Sequence, residues 1–448
     1  MRNVSKRLRL IISITLMSAS VLAGAGCAEK ETMEQTMEET DVISPVIDQE
    51  GADPYVIRHG DWYYYMKTTG SNITLQRSES LTGISAGESR VLYEPSSELS
   101  DLWAPELFYL DDAWYVYFAA RIPGEKMHFM YVLMNESGNP FEGEWICQPV
   151  KGMDDKFAID GTVLELPAGR YFIWSGWEGY ENVRQDIYLA EMVSPVEVKE
   201  EKILLSKPEY DWEMSGEPLV NEGPEVLIHK DTINLVYSAS GSWTDDYCLG
   251  ILTASADADV KSPDAWTKKQ TPVMSKNSDV WGPGHNCFTV SLDGSETIVV
   301  YHAARWQSGG WSRSVRYGYA EFDESGRIKD MEPVSPDARV KLPSGERNRY
   351  VYNKEEIRLG EDIKIPKKGS AVIHVYVKAD QFLDDQFVTS MELTVNGQTY
   401  NAPVYPSEYC QPVSFYAELP EEVNMLTVSS GSGAEDFVID RIEIQCAD

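Results

Sequence analysis

Three carboxylic acids, Asp53, Asp160 and Glu222, each stand immediately before Gly or Pro and an apolar run, in DPYVI, DGTVLEL and EGPEVLI. Acids that meet in one pocket can cleave a glycosidic bond. One protonates the departing oxygen, and another activates water or attacks the anomeric carbon through an oxocarbenium-like transition state. The proton donor must stay protonated near neutral pH, and a second carboxylate supplies that shift, because two neighbouring like charges disfavour ionisation. Taken singly, an Asp or Glu ahead of Gly or Pro is an ordinary turn residue. Recurrence at one point of a repeat is what points to chemistry. Rings of acids also bind calcium, but the DxDxDG spacing of a calcium loop does not occur here.

The elements that would position these acids repeat along the chain. DPYVIRHGDWYYYMK from Asp53, APELFYLDDAWYVYFA from Ala104, DGTVLELPAGRYFIWSG from Asp160, EGPEVLIHKDTINLVYSAS from Glu222 and HNCFTVSLDGSETIVVYHA from His285 share one grammar. A small or polar opener leads to an apolar strand, a tight turn (HGD, LDD, PAG, HKD, LDG) and a β-branched or aromatic strand, which is hairpin patterning. A repeat of roughly 40–60 residues made of short strands predicts propeller blades of four strands each. Five units predict an all-β, five-bladed β-propeller over residues 50–343. In that fold the openers Asp53, Ala104, Asp160, Glu222 and His285 ring one mouth of a central channel. The rival is an array of separate sandwiches, for which units of about 55 residues are short.

The 448 residues are enough for two domains. A formal net charge of −33 repels nucleic acid and polyuronic glycans and tolerates neutral substrates. At the N-terminus Arg2, Lys6, Arg7 and Arg9 precede LIISITLMSASVLA, and small residues then lead to Cys27. This resembles a bacterial lipoprotein signal, which implies a signal peptide over 1–26, lipidation at Cys27 and membrane contact only through that anchor. An ordinary secretory signal is the alternative. The acidic stretch to residue 49 is expected to be a disordered tether. The other five cysteines are widely spaced without a CxxC pair, which argues against zinc and leaves a Cys410–Cys446 disulfide or buried thiols.

Asp53-Pro-Tyr-Val-Ile, Trp103-Ala-Pro-Glu106, Ile159-Asp160-Gly161 and Asn221-Glu222-Gly223-Pro224 resemble the motif set of glycoside hydrolase family 43. LLSKPEYDWE, VNEGPEVLI, YCLGILTASADADV and WGPGHNCFTV are similar to its exo-acting α-L-arabinofuranosidases, and the resemblance runs from about Asp53 to Arg327. It implies an inverting reaction in which Asp53 is the general base and Glu222 the general acid. Asp160 would stay ionised, raise the pKa of Glu222 and orient it, with base and acid about 6.5–9.5 Å apart. It also implies a pocket lined by Trp103, Ala104, His285 and Arg316, with Arg313 as the rival to Arg316. No cofactor is required. His285 either sits beside a structural calcium ion, held through waters, or is hydrogen-bonded to the acids. The implied substrates are neutral arabinose- or xylose-containing glycans, with terminal arabinofuranose favoured over β-xylosides and β-galactofuranosides. A non-catalytic sugar-binding surface lipoprotein would not need all three acids. A retaining fructan-cleaving propeller would carry Asn-Asp-Pro-Asn, which is missing.

The pattern breaks at KLPSGERNR. Alternating stretches beyond it (AVIHVYVKA, SMELTVNGQTY, VSFYAEL, DFVIDRIEI), with a hairpin signal at Asn396-Gly397, predict a small β-sandwich over 344–448. DFVIDRIEIQ weakly resembles carbohydrate-binding modules. Such a domain either binds sugar, with Tyr400, Tyr405 and Tyr409 as candidate platforms, or buttresses the propeller.

Overall fold

The computed structural model describes residues 38–153, 155–379, 389–431 and 437–446. Each repeated segment folds as an antiparallel hairpin: Ala52–His59 with Trp62–Thr68, Ser100–Leu110 with Ala113–Arg121, Ala158–Leu166 with Gly169–Gly176, Leu219–His229 with Thr232–Ala239, and Gly284–Val290 with Thr297–Ala304. The turn chemistry is as the residues dictate. Asp111 and Asp112 both take positive φ (50° and 62°), the conformation whose twist suits a two-residue hairpin.

Two further strands extend the first sheet (Ile73–Ser78, Glu88–Tyr93) and the second (His128–Asn135, Ile146–Pro149). The third continues through Arg184–Ser194 and Ile203–Ser206, the fourth through Cys248–Ser255 and Thr267–Lys268. A short parallel pairing, Arg184 with Leu219 and Gln185 with Val220, joins the third sheet to the fourth. The fifth sheet adds Arg313–Tyr319 and then takes its last strand from far upstream, Val46–Asp48.

That last strand corrects the expected tether. Glu38–Thr40, Val42–Ile43 and Val46–Asp48 are all paired strands, and Val46 and Ile47 are buried. Val46–Asp48 covers the edge of the fifth sheet, which would otherwise expose unpaired backbone groups. Residues 1–37, with the signal segment and Cys27, lie outside the described residues.

Apolar clusters lie between consecutive sheets. Tyr117 and Val132 of the second pack with Phe172 and Trp174 of the third, Ile173 and Leu189 of the third with Leu235 and Leu252 of the fourth, and Val236 and Ile251 of the fourth with Val299 and Tyr301 of the fifth. One cluster then joins Val300 and Tyr317 of the fifth to Val56 and Tyr65 of the first and Trp114 and Val116 of the second. Each of the five sheets thus buries apolar residues against its neighbours.

Beyond the repeats, Glu38–Thr40, Arg349–Asn353, Phe437–Cys446, Gly369–Ala379 and Gln411–Leu419 form one sheet, and Asp362–Ile365, Asn424–Ser430, Thr389–Val395 and Gln398–Val404 another. Both contribute to a single core that includes Ile373, Val375, Leu393, Val428 and Ile442. The expected boundary is a latch, not a linker. Glu346 accepts the backbone N–H groups of Leu81 (2.7 Å) and Thr82 (3.2 Å). Arg349 reaches Thr82 O and pairs at 2.9 Å with Glu443, which also binds Arg339 and Arg441. These cations hold the Glu443 carboxyl down to about 2 although burial opposes its charge.

The tyrosines proposed as sugar platforms are used for packing. Tyr409 is buried, with its hydroxyl 2.7 Å from both Arg316 Nη2 and Ser314 Oγ. Tyr405 lies against the Arg305 guanidinium, and Tyr400 packs on Phe415. Cys147, Cys248, Cys287, Cys410 and Cys446 are free thiols, so the Cys410–Cys446 disulfide does not form.

Replacing Glu443 with Ala leaves Arg349 buried without its partner, an effect of about 3–5 kcal/mol. Urea denaturation should show a midpoint lowered accordingly, and Glu443→Gln should fall between the mutant and the wild type.

Candidate active site

The first strand of each sheet carries the same backbone defect. Asp53, Ala104, Asp160, Gly223 and His285 take left-handed φ values of 52°, 44°, 56°, 53° and 46°. At each, the ladder to the partner strand skips: between Ala52 and Tyr55, Trp103 and Glu106, Ile159 and Thr162, Glu222 and Glu225, and Gly284 and Cys287. The repeat read from sequence is therefore offset in its fourth copy. Gly223, not Glu222, is the equivalent of Asp53 and Asp160, and Glu222 occupies the preceding extended position. Gly suits 223, because a Cβ there would sit a tight 3.1 Å from the His285 ring in addition to the positive φ.

These kinks bring the three acids together. Asp160 Oδ2 accepts the Gly223 N–H at 2.9 Å, so the third sheet's acid is fixed next to Glu222. Glu222 Oε1 accepts the Tyr247 hydroxyl at 2.8 Å. Asp53 Oδ1 lies 3.2 Å from His285 Nδ1, 3.6 Å from His302 Nδ1 and 3.7 Å from Arg313 Nη1. The Asp53 N–H donates to His302 Nδ1 at 3.0 Å, which makes that nitrogen the unprotonated one. Burial also pulls both histidines below their ordinary pKa, so they are neutral neighbours of Asp53.

Burial dominates the electrostatics of Glu222 and Asp160. It pushes Glu222 up to about 7, reinforced by the charge of Asp53 and opposed by the Tyr247 hydrogen bond and by Arg313. It also raises Asp160 well above the usual range, followed by the charges of Glu222 and Asp53, with the Gly223 N–H opposing. The principal cause of Glu222's shift is thus loss of water, not the Asp160 charge expected from sequence. The two groups titrate as a pair.

The other expected pocket residues divide. Trp103 is half-buried and stacks on His128 with ring centres 3.6 Å apart, and Ala104 is buried, its N–H on Thr68 Oγ1. His285 reaches Asp53 directly, as its hydrogen-bonded alternative required. Arg316 does not reach the acids. It is wholly buried on Ala304 O and Tyr409, because it lies on the opposite face of the strand from Arg313. Arg313 is the site arginine. Sequence reasoning missed Tyr247 and His302 altogether, since neither occupies an opening position. Among the described residues, no group of three or more His, Cys, Asp or Glu side chains could hold a metal ion.

The profile of glycosyl hydrolases family 43 matches residues 42–328, which contain every residue of this cluster. The chain belongs to glycosyl hydrolases family 43. An extracellular exo-α-(1→5)-L-arabinofuranosidase of Streptomyces chartreusis is 37% identical over 275 residues, covering 59% of this chain and 83% of that protein. Alpha-L-arabinofuranosidase 43 of Humicola insolens is 34% identical, covering 56% of this chain and 54% of its own length. The crystal structure of an α-L-arabinofuranosidase from Lactobacillus brevis is 32% identical with a TM-score of 0.62, covering 66% of this chain and 98% of its own. This family 43 chain is therefore a glycoside hydrolase, and an all-β one.

Two residues beyond each kink lies a second buried tier: Tyr55, Glu106, Thr162, Glu225 and Cys287. Thr162 Oγ1 is 3.3 Å from Glu225 Oε2, while Glu106 Oε2 has no partner among the described residues. Burial raises Glu225 to about 8 and, with the Glu225 charge, raises Glu106 well above its ordinary value. A carboxyl whose folded pKa exceeds its unfolded one stabilises the fold below the unfolded pKa and loses that contribution as pH rises through the folded pKa. Differential scanning calorimetry should show Tm falling as pH rises from about 5 to about 8 and levelling off above that, and Glu225→Gln should flatten that fall.

Proposed function

We propose that the protein is an inverting, exo-acting α-L-arabinofuranosidase that releases terminal arabinofuranose from neutral plant glycans. The observation that carries this reading is the meeting of Asp53, Asp160 and Glu222, from three of the first strands, in one cluster with Asp160 buried and the other two half-buried. The arabinofuranosidase relatives supply the sugar. The five sheets are read as the blades of a five-bladed propeller, closed by Val46–Asp48, and the two C-terminal sheets as a sandwich that buttresses it. The "extracellular" relatives and the N-terminal signal support export, with Cys27 as the anchor point.

In the reaction, Asp53 takes a proton from water as the water attacks the anomeric carbon. Glu222 gives its proton to the departing oxygen as the glycosidic bond breaks. His285 and Arg313 hold Asp53 in place. The proton shared by the Asp160–Glu222 pair belongs on Glu222 for a geometric reason. An amide N–H can only donate, so Gly223 favours an anionic Asp160. The Tyr247 hydroxyl can reverse its role and accept from a protonated Glu222. Asp160 then orients the acid and adds its charge to the burial that raises it.

Hydrolysis of p-nitrophenyl α-L-arabinofuranoside should exceed that of the β-xyloside. Glu222 must be protonated to act, so kcat/KM should decline as pH rises through about 7. Proton NMR should show β-L-arabinofuranose as the first-formed product. On oligosaccharide, Glu222→Gln should lose on the order of 10²–10⁴-fold in kcat. Equal activity in the mutant removes Glu222 from the mechanism, and first release of the α-anomer removes inversion.

A further inference from the structure

Two tryptophans outside the acid cluster are unexplained by packing alone. Trp311 is 69% exposed and Trp243 39% exposed, each on the loop joining the second and third strands of its sheet. A single exposed Trp is unremarkable, but these two loops are bound to one another and to the site. Trp311 Nε1 donates to Ser242 Oγ at 3.2 Å, Ser308 N to Asp245 Oδ1 at 2.8 Å, and Arg313 Nη2 to Ser242 O at 2.6 Å. Arg313 is the residue beside Asp53. Trp243 is seated on glycine backbone: a Cβ at Gly241 or Gly216 would meet its ring at 2.6 or 3.1 Å. One side of that ring is thus held flat by the protein while much of the indole faces solvent.

The 240–247 loop also supplies Tyr247, the donor to Glu222. A general acid stands on the leaving-group side of the bond it cleaves, so this loop and its partner flank that side. Rigid, amphipathic indoles with one face open are suited to the apolar faces of a pyranose or furanose ring. We propose that Trp311 and Trp243 form a stacking platform for the sugar on the leaving-group side of the scissile bond, making the enzyme selective for oligosaccharides over small aglycones. The inference rests on the assignment of Glu222 as proton donor.

Arabinotriose offers a sugar to the platform, whereas α-L-arabinofuranosyl fluoride offers none. For Trp311→Ala, the ratio of kcat/KM on the triose to that on the fluoride should drop about tenfold, chiefly through KM, and Trp311→Tyr should recover most of it. An unchanged ratio, whether both activities fall together or neither does, overturns the platform. A wild type that cleaves neither substrate faults the proposed function instead. The platform is then judged on Glu222→Gln by tryptophan-fluorescence titration with arabino-, xylo- and galacto-oligosaccharides. Quenching that disappears with Trp311→Ala upholds it, and the absence of such quenching with every sugar overturns it.

Discussion

A residue at φ near +50° crowds its Cβ against the neighbouring carbonyl, at roughly 1–2 kcal/mol for an L side chain. At the strand kinks the protein holds Asp53, Ala104, Asp160 and His285 there, each with a skipped ladder step beside it. Hairpin pairing on either side of the skip over-determines the strained residue, as is usual where strain serves a site. The consequence is positional. The kinked residues reach one another across sheets: His285 touches Asp53, and Gly223 donates to Asp160. In the fourth sheet the kink falls on glycine, which leaves the preceding position to the longer Glu222 side chain and gives Asp160 the Gly223 N–H as a backbone donor.

Burial then sets the chemistry. The protein is strongly anionic, yet the acid with the largest mechanistic task is shifted mainly by loss of water, and neighbouring charges refine the result. Tyr247, Arg313 and the two histidines discriminate among acids of similar type. Asp53 is surrounded by nitrogen, Asp160 by an amide that can only donate, and Glu222 by a hydroxyl that can turn. Three neighbouring carboxyls thereby acquire three environments, which is how a site runs acid and base chemistry at one pH.

The C-terminal sheets bear on the site through contacts and not through a linker. Tyr409 caps Arg316 and Ser314 on the strand that also carries Arg313, and Glu346 and Arg349 bind the segment around Thr82. Buried polar groups on both sides satisfy each other there, so separating the two parts would cost Arg316 its bond to Tyr409 and Arg349 its bond to Thr82 O. This favours buttressing over an independent sugar-binding role.

Local chemistry made much of this legible in the sequence. Period-two alternation and Asp or Gly turns gave the hairpins, because strand and turn preferences act over a few residues. The acids Asp53, Asp160 and Glu222 could be picked out, because a repeat places equivalent residues at equivalent points. What lay beyond reach depended on long-range geometry. The offset of Glu222 by one residue is a matter of backbone conformation, and Asp-Pro and Glu-Gly openers look alike as text. Arg313 and Arg316 are three apart on one strand, and only the pleat sends one to the acids and the other to Tyr409. Tyr247 and His302 come from second strands and loops with no pattern of their own. Val46–Asp48 reads as the end of an acidic tail until the fifth sheet presents an edge for it to cover. Sequence determined the parts and the kind of reaction; tertiary structure decided which neighbours each acid has, because those neighbours lie up to about 250 residues away along the chain.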